Sequence, residues 1–115
     1  MQRDLVVRAQ GGDVDAFSAL TAGRTARLYA AARLILRHDD QAGDAVQDAL
    51  LRAWLDLRGL RDPDRFDAWL RRLLVRACYR EAARDQHQRR IVAQIRPSEM
   101  GMPDLEIVRV MGAIG

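Results

Sequence analysis

Lysine is absent, cysteine occurs once, histidine twice, and aromatic residues make up 5% of the 115 residues. Each scarcity excludes something. Cys78 has no second cysteine to pair with and no Cys or His at metal-ligand spacing, which rules out a disulfide scaffold and a zinc finger and fits a reducing cytoplasm. His38 and His87 sit far apart at polar helix ends, outside any metal or triad motif, and each aspartate has a plainer role as cap, loop residue or surface charge. No glycine-rich phosphate loop is present. The sequence therefore assigns no catalytic residue, no metal and no cofactor. No apolar run approaches the ~18 residues that cross a bilayer. The opening Met1-Gln2-Arg3-Asp4 lacks the basic-then-apolar order of an export signal, so neither membrane insertion nor export is expected.

What is present is apolar and helical. Hydrophobic residues make up 49% of the chain, enough for one core at a length that accommodates one domain. Eighteen alanines outnumber the 15 valines, isoleucines and threonines combined, which favours helix over strand because β-branched side chains lose rotamer freedom in helices. An all-α fold is expected, a small bundle of about four helices with a C-terminal linker. The first 90 residues form its domain, and residues 91–115 supply the linker.

The charge is unevenly placed. All 19 basic residues are arginine, a usage that GC-rich coding explains as readily as function does, and the net charge is +3. Residues 39–64 carry three Arg against seven Asp, whereas residues 65–96 carry nine Arg against Asp67, Glu81 and Asp85. An acidic segment beside a basic one suits two partners, a basic protein and a polyanion. A bundle with Asp-rich and Arg-rich solvated faces has the same composition.

The helix ends are marked. A first helix runs from Asp4 to about Ala9, stops at Gly11-Gly12, and leaves Asp13 to cap the next. From Val14 to Leu36 the apolar positions Phe17, Leu20, Leu28, Ala31 and Ile35 keep helical spacing except at Gly23-Arg24, where a kink or break is expected. Asp40 is positioned to cap a helix from about Gln41 to Leu57, with Val46, Leu50, Ala53 or Trp54, and Leu57 facing inward. Asp44, Asp48, Arg52 and Asp56 step by four on another face, where Asp48–Arg52 and Arg52–Asp56 fit ordinary surface ion pairs. Residues 58–64 read as a loop, with Asp64 as the cap of a last helix from Arg65 to about Gln88, ~35 Å long. That helix buries Phe66, Trp69, Leu70, Leu73, Leu74 and Ala77 and turns Arg72, Arg76, Arg80 and Arg84 to another face. Like charges four residues apart repel, so a counter-charge outside the helix would relieve a real cost. A nucleic-acid backbone is one candidate; arginines solvated over apolar surface are the other. Cys78 reads as a small packed hydrophobe and Trp54 and Trp69 as core.

The run Asp44-Ala45-Val46-Gln47-Asp48-Ala49-Leu50-Leu51-Arg52-Ala53-Trp54 resembles the region 2.2 signature of bacterial sigma factors of the extracytoplasmic-function (ECF) group. Phe66-Asp67-Ala68-Trp69-Leu70 and the arginine helix after it resemble regions 2.3 and 2.4, and Phe17 to Arg37 stands where region 2.1 would. The resemblance covers about residues 4–90. It implies a transcription initiation module in which Asp44, Gln47, Asp48 and Arg52 dock on the clamp helices of the largest subunit of core RNA polymerase. It also implies that Arg58, Arg61, Asp62 and Arg65, with Arg72, Arg76, Arg80 and Arg84, engage the non-template strand of the promoter minus-ten element, where a base is turned out of the stack. Extruding a base costs a few kcal/mol, which binding of the displaced strand must offset. An anti-sigma factor is a further implied partner.

The chain also departs from that pattern. Many relatives carry Asn at the position of Arg76 and Asp at that of Arg80, so a promoter sequence does not transfer. Region 4, the helix-turn-helix that normally follows, is not found before Gly115; Asp104 to Ile114 fits its truncated start, and a naturally short or degenerate sigma-like protein would read the same way. Two alternatives stand beside the sigma reading: a sigma-like interaction module that binds an anti-sigma factor or self-associates, and an unrelated helical protein that binds duplex DNA.

Overall fold

The computed structural model describes residues 2–94; the expected linker and start of region 4 lie outside the described residues. The described chain is all-α, with no strand: α1 (Gln2–Gln10), α2 (Val14–Ala22), α3 (Thr25–Ile35), α4 (Asp39–Asp56) and α5 (Phe66–Gln94), with 3-10 turns at Leu57–Gly59 and Pro63–Arg65 between α4 and α5. By packing, the chain divides into a first unit that ends at Ala82 and a second that begins at Ala83. No described helix is long and apolar enough to cross a membrane.

The two glycines end α1 as expected, by a specific geometry. Gly12 takes φ +99°, its N–H donates to Ala9 O at 2.9 Å, and the Asp13 N–H donates to Arg8 O at 3.1 Å. This pair of bonds needs a residue in left-handed backbone at Gly12, which glycine adopts without steric penalty. Asp13 then caps α2, its Oδ1 accepting from the Ala16 N–H at 3.1 Å. That bond, with the Arg8 guanidinium beside it, holds the Asp13 carboxyl below the usual range.

Gly23-Arg24 is a break and not a kink, since α2 ends at Ala22 and α3 begins at Thr25. Three local expectations are corrected. Asp40 does not cap α4: the extended backbone at His38 lets the helix begin at Asp39, so Asp39 and Asp40 lie in its first turn, where their charge complements the helix dipole. Asp64 does not cap the last helix either. Asp62 accepts from the Asp64 N–H at 3.0 Å and starts a 3-10 turn, from which α5 takes over at Phe66 and runs on to Gln94. Ile35 is exposed: the buried stripe of α3 steps by four from Leu28 to Ala32, and Leu36, where the backbone turns extended at the helix end, supplies the next core side chain.

The core of the first unit joins Val6 and Ala9 from α1, Ala16 and Leu20 from α2, and Leu28 and Ala32 from α3 to the long helices. On α4 the buried positions are mostly alanine, namely Ala42, Ala45, Ala49 and Ala53, with Val46. On α5 they are Phe66, Leu70, Leu73, Leu74, Ala77 and Cys78. The small residues of α4 and the large ones of α5 join one buried cluster. Trp69 is half-buried against this core and tilts on Phe66, while Trp54 is half-buried with an edge-to-face contact to Phe17, centroids 5.2 Å apart. Both tryptophans thus pack within the protein. Burial also pushes the Cys78 thiol up, away from the reactive thiolate form.

One interruption of the apolar pattern organises much of this unit. Arg24, at the α2–α3 break, has a side chain only 17% exposed. Its Nε donates to Asp67 Oδ1 at 2.5 Å, Nη1 to Leu20 O at 2.5 Å and Nη2 to Gln2 Oε1 at 2.6 Å. The guanidinium carbon lies 5.5 Å from the centroid of the Phe66 ring. A single cation therefore ties α1, α2 and α5 together, and its guanidinium holds the Asp67 carboxyl below the ordinary range.

Candidate functional site

Helix α4 presents a mixed outer stripe. At 100° per residue, Gln47, Leu51, Asp44, Leu55 and Asp48 fall within an arc of about 100°, opposite the buried alanines. Asp44 and Gln47 are exposed, and Asp44 makes no ion pair among the described residues. Leu51 and Leu55, 57% and 66% exposed, extend the stripe with apolar surface that the core does not use. These two leucines were not among the sequence-derived site residues. The signal for them was available: they stand four residues apart and off the Val46–Leu50 stripe.

Asp48 occupies the edge of this stripe and is not a simple surface charge. Its Oδ1 accepts from Arg52 Nε at 3.3 Å, the i,i+4 pair expected from spacing. Its Oδ2 accepts from Arg80 Nη2 of α5 at 2.7 Å. The Arg80 guanidinium, foremost, and Arg52 hold the Asp48 carboxyl below the usual carboxylate range despite partial burial. Of the sequence-derived residues, the structure thus joins Asp48, Arg52 and Arg80 in one cluster. Arg52–Asp56, the other pair that spacing allowed, is not formed: Arg52 turns back toward Asp48.

Two other members of the arginine stripe differ from Arg80. Arg72 and Arg76 are exposed and make no ion pair among the described residues, and Arg84 recurs four residues beyond Arg80 on α5, in the second unit. Between α4 and α5, Arg58 and Arg61 are exposed, and Arg65 lies 3.9 Å from its neighbour Asp62, whose other oxygen caps the second 3-10 turn. This connection is anchored from α1. Gln10 Nε2 donates to the carbonyl oxygens of Leu57 at 3.0 Å and Leu60 at 2.8 Å, and Arg3 pairs with Asp64 at 3.0 Å. Leu57, Leu60 and Pro63 point inward and are buried, so the charged side chains between them are turned outward. Neither anchor has a local sequence signal.

A groove of about 310 Å³ lies between α3 and α5, floored by Leu28, Ala31, Leu70 and Leu74 and edged by Arg27 and Arg71. No group of three or more His, Cys, Asp or Glu placed to hold a metal ion occurs among the described residues. What the site offers chemically is ionic and apolar contact.

The family model for sigma-70 region 2 matches residues 24–90, which takes in α3, α4, the connection and nearly all of α5. The chain is 35% identical over 75 residues to the ECF RNA polymerase sigma factor SigM from two strains of Mycobacterium tuberculosis. The aligned stretch is 65% of this chain and 38% of each relative, so it spans well under half the length of those proteins. No solved structure matches. The alternative of a helical protein unrelated to sigma factors is thereby set aside: the chain belongs to the sigma-70 family and carries region 2.

Proposed function

We propose that this domain is a non-enzymatic transcription initiation module, in which the outer stripe of α4 docks on the clamp helices of core RNA polymerase. The connection and the arginines of α5 then hold the non-template strand of an opened minus-ten element. Polymerase performs the chemistry, in the cytoplasm. The observation that carries this reading is the division of exposed residues: acidic, amide and leucine side chains on the outer stripe of α4, and an excess of cations, Arg58, Arg61 and Arg65 against Asp62 and Asp64, on the connection, followed by Arg72 and Arg76 on α5. A basic protein helix and a polyanionic strand are the ligands that these two chemistries select. Exposed leucines within the acidic stripe suit a protein partner better than solvent alone.

Co-migration with core RNA polymerase on a native gel tests this. The parent chain is expected to shift with polymerase, and an Asp44→Arg, Gln47→Ala variant, which leaves the Asp48 cluster intact, is expected to lose the shift while keeping its helical circular dichroism. Absence of a shift by the folded parent overturns the reading. One observation favours a second reading, a module that chiefly binds an anti-sigma factor or self-associates: Leu34, on the α3 helix that walls the groove, is 89% exposed. Light scattering after size exclusion separates the two, because self-association through such a surface gives a dimer mass without polymerase.

A further inference from the structure

The α4 and α5 surfaces share one carboxylate. Arg72 and Arg76 stand exposed and unpaired among the described residues, whereas Arg80, one helical turn further along the same stripe, is neutralised by an aspartate from another helix. That aspartate is also a member of the outer stripe of α4. We propose that Asp48 is a shared counter-ion. In the free chain it occupies Arg80, and a cationic side chain of the partner that docks on α4 draws it away, leaving Arg80 available to a nucleic-acid phosphate. This inference rests on the assignment of α4 to polymerase and α5 to single-stranded DNA proposed above.

Three observations support it. The Asp48 side chain is 37% exposed, within reach of a docked partner, and the Arg80 side chain is 39% exposed, within reach of a strand lying along α5. The carboxylate already divides itself between two arginines, close to Arg80 at 2.7 Å and looser to Arg52 at 3.3 Å, so a third cation enters an existing competition. Half-exposed pairs of this kind are weak enough to exchange, unlike a buried pair whose separation strands a charge. Linkage makes the effect reciprocal: if polymerase binding tightens the hold on DNA through Arg80, DNA binding tightens the hold on polymerase by the same factor.

The test uses the full chain, a short fluorescein-labelled single-stranded oligonucleotide and a salt series read by anisotropy. Asp48→Asn is expected to tighten binding about fivefold. Its salt dependence should steepen by about 0.7 in log–log slope, the value for one added phosphate contact on a single strand. Asp44→Asn, which removes the same charge one turn away without touching Arg80, is expected to tighten binding less and leave the slope unchanged. In an Arg80→Ala background the extra gain from Asp48→Asn is expected to vanish. Equal effects of Asp48→Asn and Asp44→Asn, or a gain that survives without Arg80, overturn the shared counter-ion while leaving the sigma reading intact. A folded parent that binds neither oligonucleotide nor core polymerase removes both. An independent arm covers the case in which Asp48→Asn does not fold. Saturating oligonucleotide is expected to tighten parent binding to core polymerase and to do so less in Arg80→Ala; an identical gain in both overturns the coupling.

Discussion

Arg24 and Arg80 each give a guanidinium to an aspartate on another helix, and there the likeness ends. Arg24 is 17% exposed, donates also to a backbone carbonyl and an amide oxygen, and lies over an aromatic ring. Arg80 is 39% exposed, and it donates to one carboxylate oxygen of Asp48. The number of anchors and the loss of water decide which pair builds the fold and which stands ready for exchange. Coulomb attraction is common to both; the penalty for breaking them is not.

Removing Arg24 should break that comparison most visibly. Arg24→Ala leaves Asp67 without its main partner and Phe66 without its cation, and is expected to lower stability by about 2 kcal/mol in urea unfolding. Arg80→Ala is expected to stay within about 1 kcal/mol of the parent in the same measurement. Equal losses would erase the distinction between the two pairs. A smaller effect sharpens the comparison from the other side. Arg72→Ala and Arg76→Ala, each changed alone, are expected to reduce the salt slope of single-strand binding by about 0.7 while shifting stability by less than about 0.5 kcal/mol. An unchanged slope removes that arginine from the strand's path.

The smallest effect is in acid. Asp67 and Asp48 both have folded-state pKa values below the ordinary aspartate value of 3.8. Their ionised forms therefore add stability that is complete above that value and is lost as pH falls through it toward the lower folded value. Urea midpoints measured from pH 6 downward are expected to fall in the parent below about pH 4.5. Asp67→Asn should fall less steeply over the same range, since its proton uptake is gone. A parent curve that stays level through that range would contradict the depressed values.

How much of this was legible in the sequence depended on range along the chain. The faces of α4 and α5 were readable because a helix repeats its own register, and the buried set Phe66, Leu70, Leu73, Leu74 and Ala77 lies where the spacing put it. The α1 stop and the Asp13 cap were readable for the same local reason. Asp40 and Asp64 were misassigned because several aspartates cluster at each helix start, and the backbone angle of the preceding residue, which no residue count reveals, selects among them. Arg24 showed only as an interruption in an apolar series. Its meaning depends on Asp67, 43 residues away. The Asp48–Arg80 bond spans 32 residues, and so the acidic and basic stripes read as two separate surfaces until the fold brought them together. Leu51 and Leu55 lie off the inward face of α4, and only the fold shows that no other element covers them.

The hold of Gln10 on the connection between α4 and α5 has a consequence for how this domain can diversify. The amide of Gln10 binds main-chain oxygens of residues 57 and 60, and every residue type supplies such an oxygen. The fastening is therefore blind to the side chains it fastens. Arg58, Gly59 and Arg61 can be exchanged by mutation without loosening the clip that holds the segment to α1. Variation of the exposed side chains on the connection is thereby separated from maintenance of the frame that presents them.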